Sequence, residues 1–353
     1  MQRCYDRQSE AIRQILKAMP QTLEAFGRFC RDCRCVVLMG IGSSYHALHM
    51  VGAYAQEILN VPVFVQTPEQ LDWISVCPDP DLMVIAASQS GTSVNVLVGI
   101  RKLKSKHVPV AAITQNPDSP VGREADCVIP LCIPEEKAGP KTMGVLATAV
   151  TAAFALCRLC EQAEERTAEF EVACEAFVGK LEENLSVARR YALRYADALK
   201  EHRTIVVTGG GNLSAAAGEA ALKLTETLRE PAVSYEVEEW VHGPCACLSN
   251  RTALMCLSTQ WNRSERLEAL CRLCKEAGSD IYDVIVTQEE TVEQKEKLLL
   301  SCPRHPLLSA LMLLLPAQAI GAWISPQKGI DLDSRVFPAW TDVLCAHLSD
   351  DER

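Results

Sequence analysis

Two stretches of this chain read as copies of one another. Residues 34–59, RCVVLMGIGSSYHALHMVGAYAQEIL, and residues 203–228, RTIVVTGGGNLSAAAGEAALKLTETL, follow the same plan. Each runs from a basic residue through apolar β-formers into a Gly-x-Gly turn, then into a long Ala-rich helical pattern. Placing Gly40 on Gly209 and Gly42 on Gly211 keeps the register throughout. A strand, a tight glycine turn and a helix open a doubly wound α/β domain. Two such openings imply a duplicated module.

The flanking sequence fits that plan. VPVFVQTP (61–68), DLMVIAASQSG (81–91), PVAAIT (109–114) and CVIPLCI (127–133) are short apolar runs bounded by Pro, Gly or Asp, and they alternate with helical stretches such as SVNVLVGIRKLKSK. RTALMCLS and DIYDVIVT are the matching strands of the second half. The expected fold is α/β: two tandem modules, each a doubly wound parallel sheet flanked by helices. Its parts are an N-terminal helix (1–30), a first module (31–165), a linking helix (166–198) and a second module with a C-terminal tail (199–353). The 353 residues, 48% of them hydrophobic, suffice for two such cores.

The net charge of −10 argues against broad nucleic-acid binding, which needs a basic stripe to displace counterions. The N-terminus, MQRCYDRQSEAIRQIL, is an amphipathic helix pattern and not a signal peptide. The most apolar stretch, LLSALMLLLPAQAIGAWI, is interrupted by Pro316 and reads as a buried helix, not a membrane span. A cytoplasmic setting with reduced thiols then follows for the 17 cysteines. Cys30/Cys33, Cys157/Cys160 and Cys271/Cys274 have C-x-x-C spacing. No histidine lies near them and the last two pairs sit in Leu-rich helical patterns, so packing is favoured over a metal site.

In an open parallel sheet, ligands bind beyond the carboxyl ends of the strands. There the first module carries Gly40-Ile41-Gly42-Ser43-Ser44 and Ser88-Gln89-Ser90-Gly91-Thr92-Ser93. A single serine in such a place would be an ordinary helix cap. Hydroxyls gathered in two strand-end loops of one module favour a phosphate, which backbone N–H groups and the helix dipole stabilise. A nucleotide fits less well, since neither turn continues to G-x-G-x-x-G and no Walker lysine is present.

The second module carries different chemistry in GEAALKLTETLREPAVSYEVEEWVHGP. Glu219, Lys223 and Glu226, at i, i+4 and i+7, share one face of a helix whose other residues are largely Ala and Leu. Burial of such carboxylates demands partners and suits acid–base work. His242 precedes a Gly-Pro break, where a histidine is also compatible with a plain turn.

GIGSSYHA followed by SQSGTSVNVL resembles the sugar isomerase (SIS) domain family. It is similar to the isomerase half of glucosamine-6-phosphate synthase and to its deglycase relatives. The resemblance implies that Gly42, Ser43, Ser44, Ser88, Gln89, Ser90 and Ser93 hold a sugar phosphate. It also implies that Lys141 and Thr142, in EEKAGPKTMGVLAT, lie on a loop that closes on the substrate. Lys223, Glu226 and His242 match the family's Lys-x-x-Glu helix, which a His-Gly-Pro follows sixteen residues after the glutamate. There the glutamate moves a proton between C1 and C2, and the histidine, given by the partner subunit of a dimer, assists ring opening. No metal or organic cofactor is implied.

GIDLDSRVFPAWTDVL resembles the synthase tail, but no lysine follows Lys328, and Trp340 stands about where the synthase has one that bonds the sugar carbonyl. Residues 1–30 show no glutamine-hydrolysing or helix-turn-helix pattern, so neither a complete synthase nor a transcriptional sensor is expected. The resemblance therefore points to a deglycase that cleaves a 6-phosphofructosyl-amine, such as 6-phosphofructose-lysine or -aspartate. The products expected are glucose 6-phosphate and the free amine. The alternatives are an aminosugar-phosphate deaminase or isomerase, and a non-catalytic phosphosugar-binding regulator.

Overall fold

Each glycine-turn repeat supplies a strand one place in from the edge of its own sheet. The computed structural model describes residues 1–30, 33–75, 82–201, 204–294, 297–334, 336 and 346–348. Two compact units are formed, and neither is contiguous in sequence. One draws on 10–135, 144–172 and 334–353, the other on 1–9, 136–143 and 173–333. The tail position Trp340 lies outside the described residues.

In the first unit, β1 (Cys35–Met39), β2 (Val63–Gln66), β3 (Leu82–Ala87), β4 (Val110–Thr114) and β5 (Cys127–Pro130) form a parallel sheet in the order β2-β1-β3-β4-β5. β3 is buried at every position, which explains its unbroken apolar run: a parallel strand covered on both faces has no solvent side. The helix Val94–Lys104 buries Val96, Leu97, Ile100 and Leu103, at helical spacing, in one core with Val84, Ala86, Val110 and Ala112. The order reverses direction at β1 and β3, so the two hydroxyl-bearing loops leave adjacent strands. That is the crevice where an α/β sheet receives its ligand.

The second unit has six strands: β6 (Thr204–Gly209), β7 (Ala232–Glu236), β8 (Thr252–Thr259), β9 (Asp280–Thr287), β10 (Val292–Glu293) and β11 (Lys297–Ser301). Their order is β10-β11-β9-β8-β6-β7. Here the expectation of a wholly parallel sheet is corrected, because β10 pairs antiparallel with β11. The sequence between them is far too short for the crossover a parallel pair requires, so only the hairpin sense is open.

The stretch 306–328 has the length to cross a membrane and its most apolar window has a mean hydropathy of 1.9, but 94% of that window is buried within the fold. It forms two helices, Pro306–Met312 and Leu315–Ile324, with Pro316 in the first turn of the second, where a missing N–H costs nothing. At Gly321 a Cβ would lie 2.8 Å from Thr227 Oγ1. The second helix therefore approaches Ser214–Leu228 closely, and only glycine permits it.

The N-terminal helix breaks at Arg7 into Gln2–Asp6 and Gln8–Phe29. Its first piece is tied into the second unit, where the Tyr5 hydroxyl donates to Leu185 O at 3.0 Å. The linking helix runs over Ala163–Arg194, and the division between the units falls inside it.

Candidate active site

Helix Ser214–Leu228 is buried along most of its length, because Ala and Leu fill the positions between its charged residues. Lys223 is 1% exposed and Glu219 wholly buried, whereas Glu226 keeps 33% of its side chain in solvent. The Lys223 ammonium pairs with Glu219 Oε1 at 3.3 Å and donates to Glu226 Oε1. Burial alone would push the lysine pKa down, but the two carboxylates outweigh it and hold the ammonium above its ordinary value. The helix thus offers one solvent-facing carboxylate, Glu226, steadied from behind by a buried cation. That suits a general base, which must be positioned and yet reach a ligand.

Segment 136–143 belongs to the same compact unit. Thr142 is buried, and both its backbone N–H and its hydroxyl donate to Glu136 Oε1 at 2.8 Å. Lys141 Nζ donates to the carbonyls of Glu136 (2.8 Å) and Ala138 (2.9 Å). An ammonium has three donors, so one remains for a ligand anion among the described residues. Burial draws the Lys141 pKa down; Glu136 and Glu226 act against that shift, and Lys223 acts with it. Lys141, Lys223 and Glu226 therefore share one electrostatic neighbourhood, and Thr142 fixes the loop that holds Lys141.

His242 caps the short helix Val237–Val241 and is exposed. Two residues earlier Trp240 is wholly buried, in a cluster with Val206, Leu254 and Leu267. The imidazole is thus carried on an anchored helix, with its ring in solvent.

The first unit gathers the hydroxyl residues. Gly42, at φ +56°, begins the helix Ser43–Ile58 and has no side chain to cap it, with Ser43 and Ser44 forming its first turn. In the other loop Ser88 Oγ donates to Ser93 Oγ at 3.0 Å, and Ser90 and Thr92 share a hydroxyl contact of 2.8 Å. Gly91 has φ +70°, and a Cβ there would stand 1.9 Å from Ser119 Oγ. The Gln89 side chain fills the space above Gly144, where a Cβ would meet Oε1 at 2.1 Å. These contacts make the loop a shaped cradle, with Ser93 at the N-terminus of helix Val94–Lys104.

The structure adds a residue that sequence reasoning missed. His347 bridges antiparallel to Ser93, and its Nδ1 lies 3.4 Å from Thr92 Oγ1. The flanking backbone bonds are Val94 N to Ala346 O (3.3 Å) and Leu348 N to Thr92 O (3.0 Å). The tail thus straps the cradle, and a tail with no glycine turn or periodic pattern gives no sequence signal of this.

The second glycine turn holds an anion of the chain's own. The backbone N–H of Gly211 donates to Glu236 Oε1 at 3.0 Å, and Oε2 accepts from Glu238 N and Glu239 N. Partial burial raises the Glu236 pKa, and four backbone N–H groups more than reverse that, leaving it below its ordinary value. The duplicated turn keeps its anion-binding geometry and fills it internally. Among the described residues no group of three or more His, Cys, Asp or Glu side chains is placed to hold a metal.

The SIS domain family model matches residues 30–158 and 198–323, one match for each repeat. The chain belongs to the SIS domain family. This SIS protein is 26% identical over 317 residues to the glutamine–fructose-6-phosphate aminotransferase (isomerizing) of Caulobacter vibrioides, covering 84% of this chain and 50% of that one. It spans about half the length of the curated relatives it matches. A Clostridium difficile 630 protein provisionally described as a phosphosugar isomerase superposes with a TM-score of 0.87 at 20% identity, covering 96% of this chain and 97% of that one. The C-terminal domain of a glucosamine-fructose-6-phosphate aminotransferase from Francisella tularensis gives 0.76 at 17% identity, over 93% and 98%. At such identities the structures establish the shared SIS fold alone.

Proposed function

We propose that this SIS protein is a cytoplasmic fructosamine-6-phosphate deglycase, acting as a homodimer. The reading rests above all on Glu226, a solvent-facing carboxylate backed by buried Lys223 and sharing its neighbourhood with Lys141. The phosphate of a 6-phosphofructosyl-amine binds Ser43, Ser44, Ser88, Gln89, Ser90 and Ser93. His242, supplied across the dimer, donates to the ring oxygen as the sugar opens. Glu226 takes a proton from C1 of the open ketoamine and returns it at C2, while the C2 oxygen gains a proton and the nitrogen loses one, which converts the ketoamine into an imine at C1. Water adds to that carbon, the C–N bond breaks, and glucose 6-phosphate leaves with the free amine. Lys141 meets an anionic group of the substrate.

Trp340, which stands about where the synthase has the lysine that bonds the sugar carbonyl, favours this reaction over an isomerisation that uses such a lysine. A second reading, an aminosugar-phosphate isomerase or deaminase, draws support from the likeness to an isomerizing aminotransferase. Purified protein incubated with 6-phosphofructosyl-lysine, 6-phosphofructosyl-aspartate and related compounds should release glucose 6-phosphate. Ammonia from glucosamine 6-phosphate, with no product from any Amadori compound, would favour the second reading instead.

A further inference from the structure

Cys271 carries a C-x-x-C spacing with Cys274, yet its close sulfur partner is another residue. Its Sγ lies 3.3 Å from Cys256 Sγ, across the packing of helix Glu265–Glu276 on strand β8. The two thiols have unequal surroundings. Cys256 is wholly buried in an apolar cluster, whereas Cys271 is half-buried at the edge of that cluster. Cys271 also lines an open cavity of about 160 Å³ with Arg263, Arg272, Lys275, Lys297 and Asp283. Arg263 is fixed there by two bonds of 2.9 Å to the Asp283 carboxylate.

We propose that Cys271 and Cys256 form a reversible dithiol–disulfide site, in which Cys271 is oxidised by a hydroperoxide and Cys256 resolves the product. In the first step the Cys271 thiolate attacks one peroxide oxygen. The O–O bond breaks, the sulfur becomes a sulfenic acid, and the other oxygen leaves as hydroxide or alkoxide and takes a proton from solvent. In the second step the Cys256 sulfur attacks Cys271 Sγ, the S–O bond breaks, and water departs with the Cys256 proton. The pair loses two electrons and the peroxide gains them; a small-molecule thiol returns them by exchange.

Geometry and charge favour this order. A disulfide needs an S–S distance of about 2.05 Å, so the sulfurs have only ~1.3 Å to close. The reactive sulfur must be a thiolate reachable from solvent. The two sulfurs share a hydrogen bond in which either can donate; with Cys256 as the donor it lowers the Cys271 pKa, opposed by partial burial and Asp283 and helped by nearby Arg263. The same bond, together with burial, raises that of Cys256 well above its ordinary value. The site is independent of the sugar chemistry proposed above.

The test is a disulfide map of the reduced full-length chain. After limited hydrogen peroxide, remaining thiols are blocked with N-ethylmaleimide and the chain is digested without reductant. The expected result is a Cys256–Cys271 cross-linked peptide as the dominant disulfide, lost on adding dithiothreitol. In Cys256→Ser, Cys271 should stop at the sulfenic acid and be captured by dimedone. A dominant Cys271–Cys274 link, over-oxidised Cys271 without a cross-link, or an unreacted pair beside oxidised Cys247 would each overturn the proposal. The wild-type map decides alone, so a variant that fails to fold leaves the test intact.

Discussion

Lys223 and Glu219 form an ion pair at 3.3 Å with both side chains withdrawn from solvent, and the same ammonium reaches out to Glu226. The pair is asymmetric in what its loss would do. Removing the cation takes the ion-pair partner from a wholly buried carboxylate, whereas Glu226 keeps solvent on one side. Lys223→Met should therefore cost about 3–5 kcal/mol, the usual penalty for breaking a buried ion pair by removing one partner. Lys223→Met/Glu219→Gln should regain much of it. Urea unfolding of both variants measures this, and equal losses would show that the charge of Glu219 is not the cause.

The same pair sets a pH limit. The folded-state pKa of Lys223 is raised, so its stabilisation is fully present below the ordinary lysine range and is lost as pH rises through the folded value. Unfolding midpoints should fall at strongly alkaline pH. That alkaline loss should be smaller in the Lys223→Met/Glu219→Gln variant, which has neither charge to lose.

Glu226→Gln keeps the shape and the hydrogen bond to Lys223 while removing the basic oxygen. We expect turnover to fall by at least about a hundredfold, the scale of a general base. Thermal stabilisation by a sugar phosphate should persist. Near-normal turnover would reassign the base.

Glu236 gives a prediction at the other end of the pH scale. Its depressed pKa means that its contribution is present above the ordinary carboxylate range and is lost as pH falls through the folded value. Glu236→Gln should flatten that acid limb, read as melting temperature against pH between about 3 and 6. An unchanged limb would place the acid sensitivity in other carboxylates.

Gly91 combines a left-handed backbone with a neighbour 1.9 Å from where a Cβ would sit. Gly91→Ala should destabilise the first unit by about 1–3 kcal/mol and weaken sugar-phosphate binding. Adding Ser119→Gly removes the nearest clash but leaves Thr114 Oγ1 at 2.8 Å and the backbone cost, so recovery should be partial. Full recovery of the melting temperature would mean that the φ of Gly91 carries no strain.

The sequence made the repeat legible because Gly40, Gly42, Gly209 and Gly211 are demanded by backbone geometry, and such positions leave a fixed spacing. The helix bearing Glu219, Lys223 and Glu226 was legible for a similar reason: charges at i, i+4 and i+7 among alanines admit one face. The β10–β11 hairpin was not, because two residues of strand have no period to read. Nor was the strap of Ala346–Leu348, which binds through backbone groups that every sequence possesses. The Cys256–Cys271 contact was hidden by a spacing that advertised Cys274 instead.

Segment 136–143 comes from the first half of the sequence and belongs to the second compact unit. The repeats are therefore not separable parcels. A chain begun at residue 199 would keep Glu226 and His242 but lack Lys141, Thr142 and the Glu136 carboxylate that fixes their loop. Such a fragment could form its sheet and still offer an unfinished surface. Exchange runs both ways, because 1–9 and 136–143 join the second unit while the tail 334–353 joins the first, so any engineered split, swap or permutation of this chain must carry each borrowed segment with the half it serves and not with the half that encodes it.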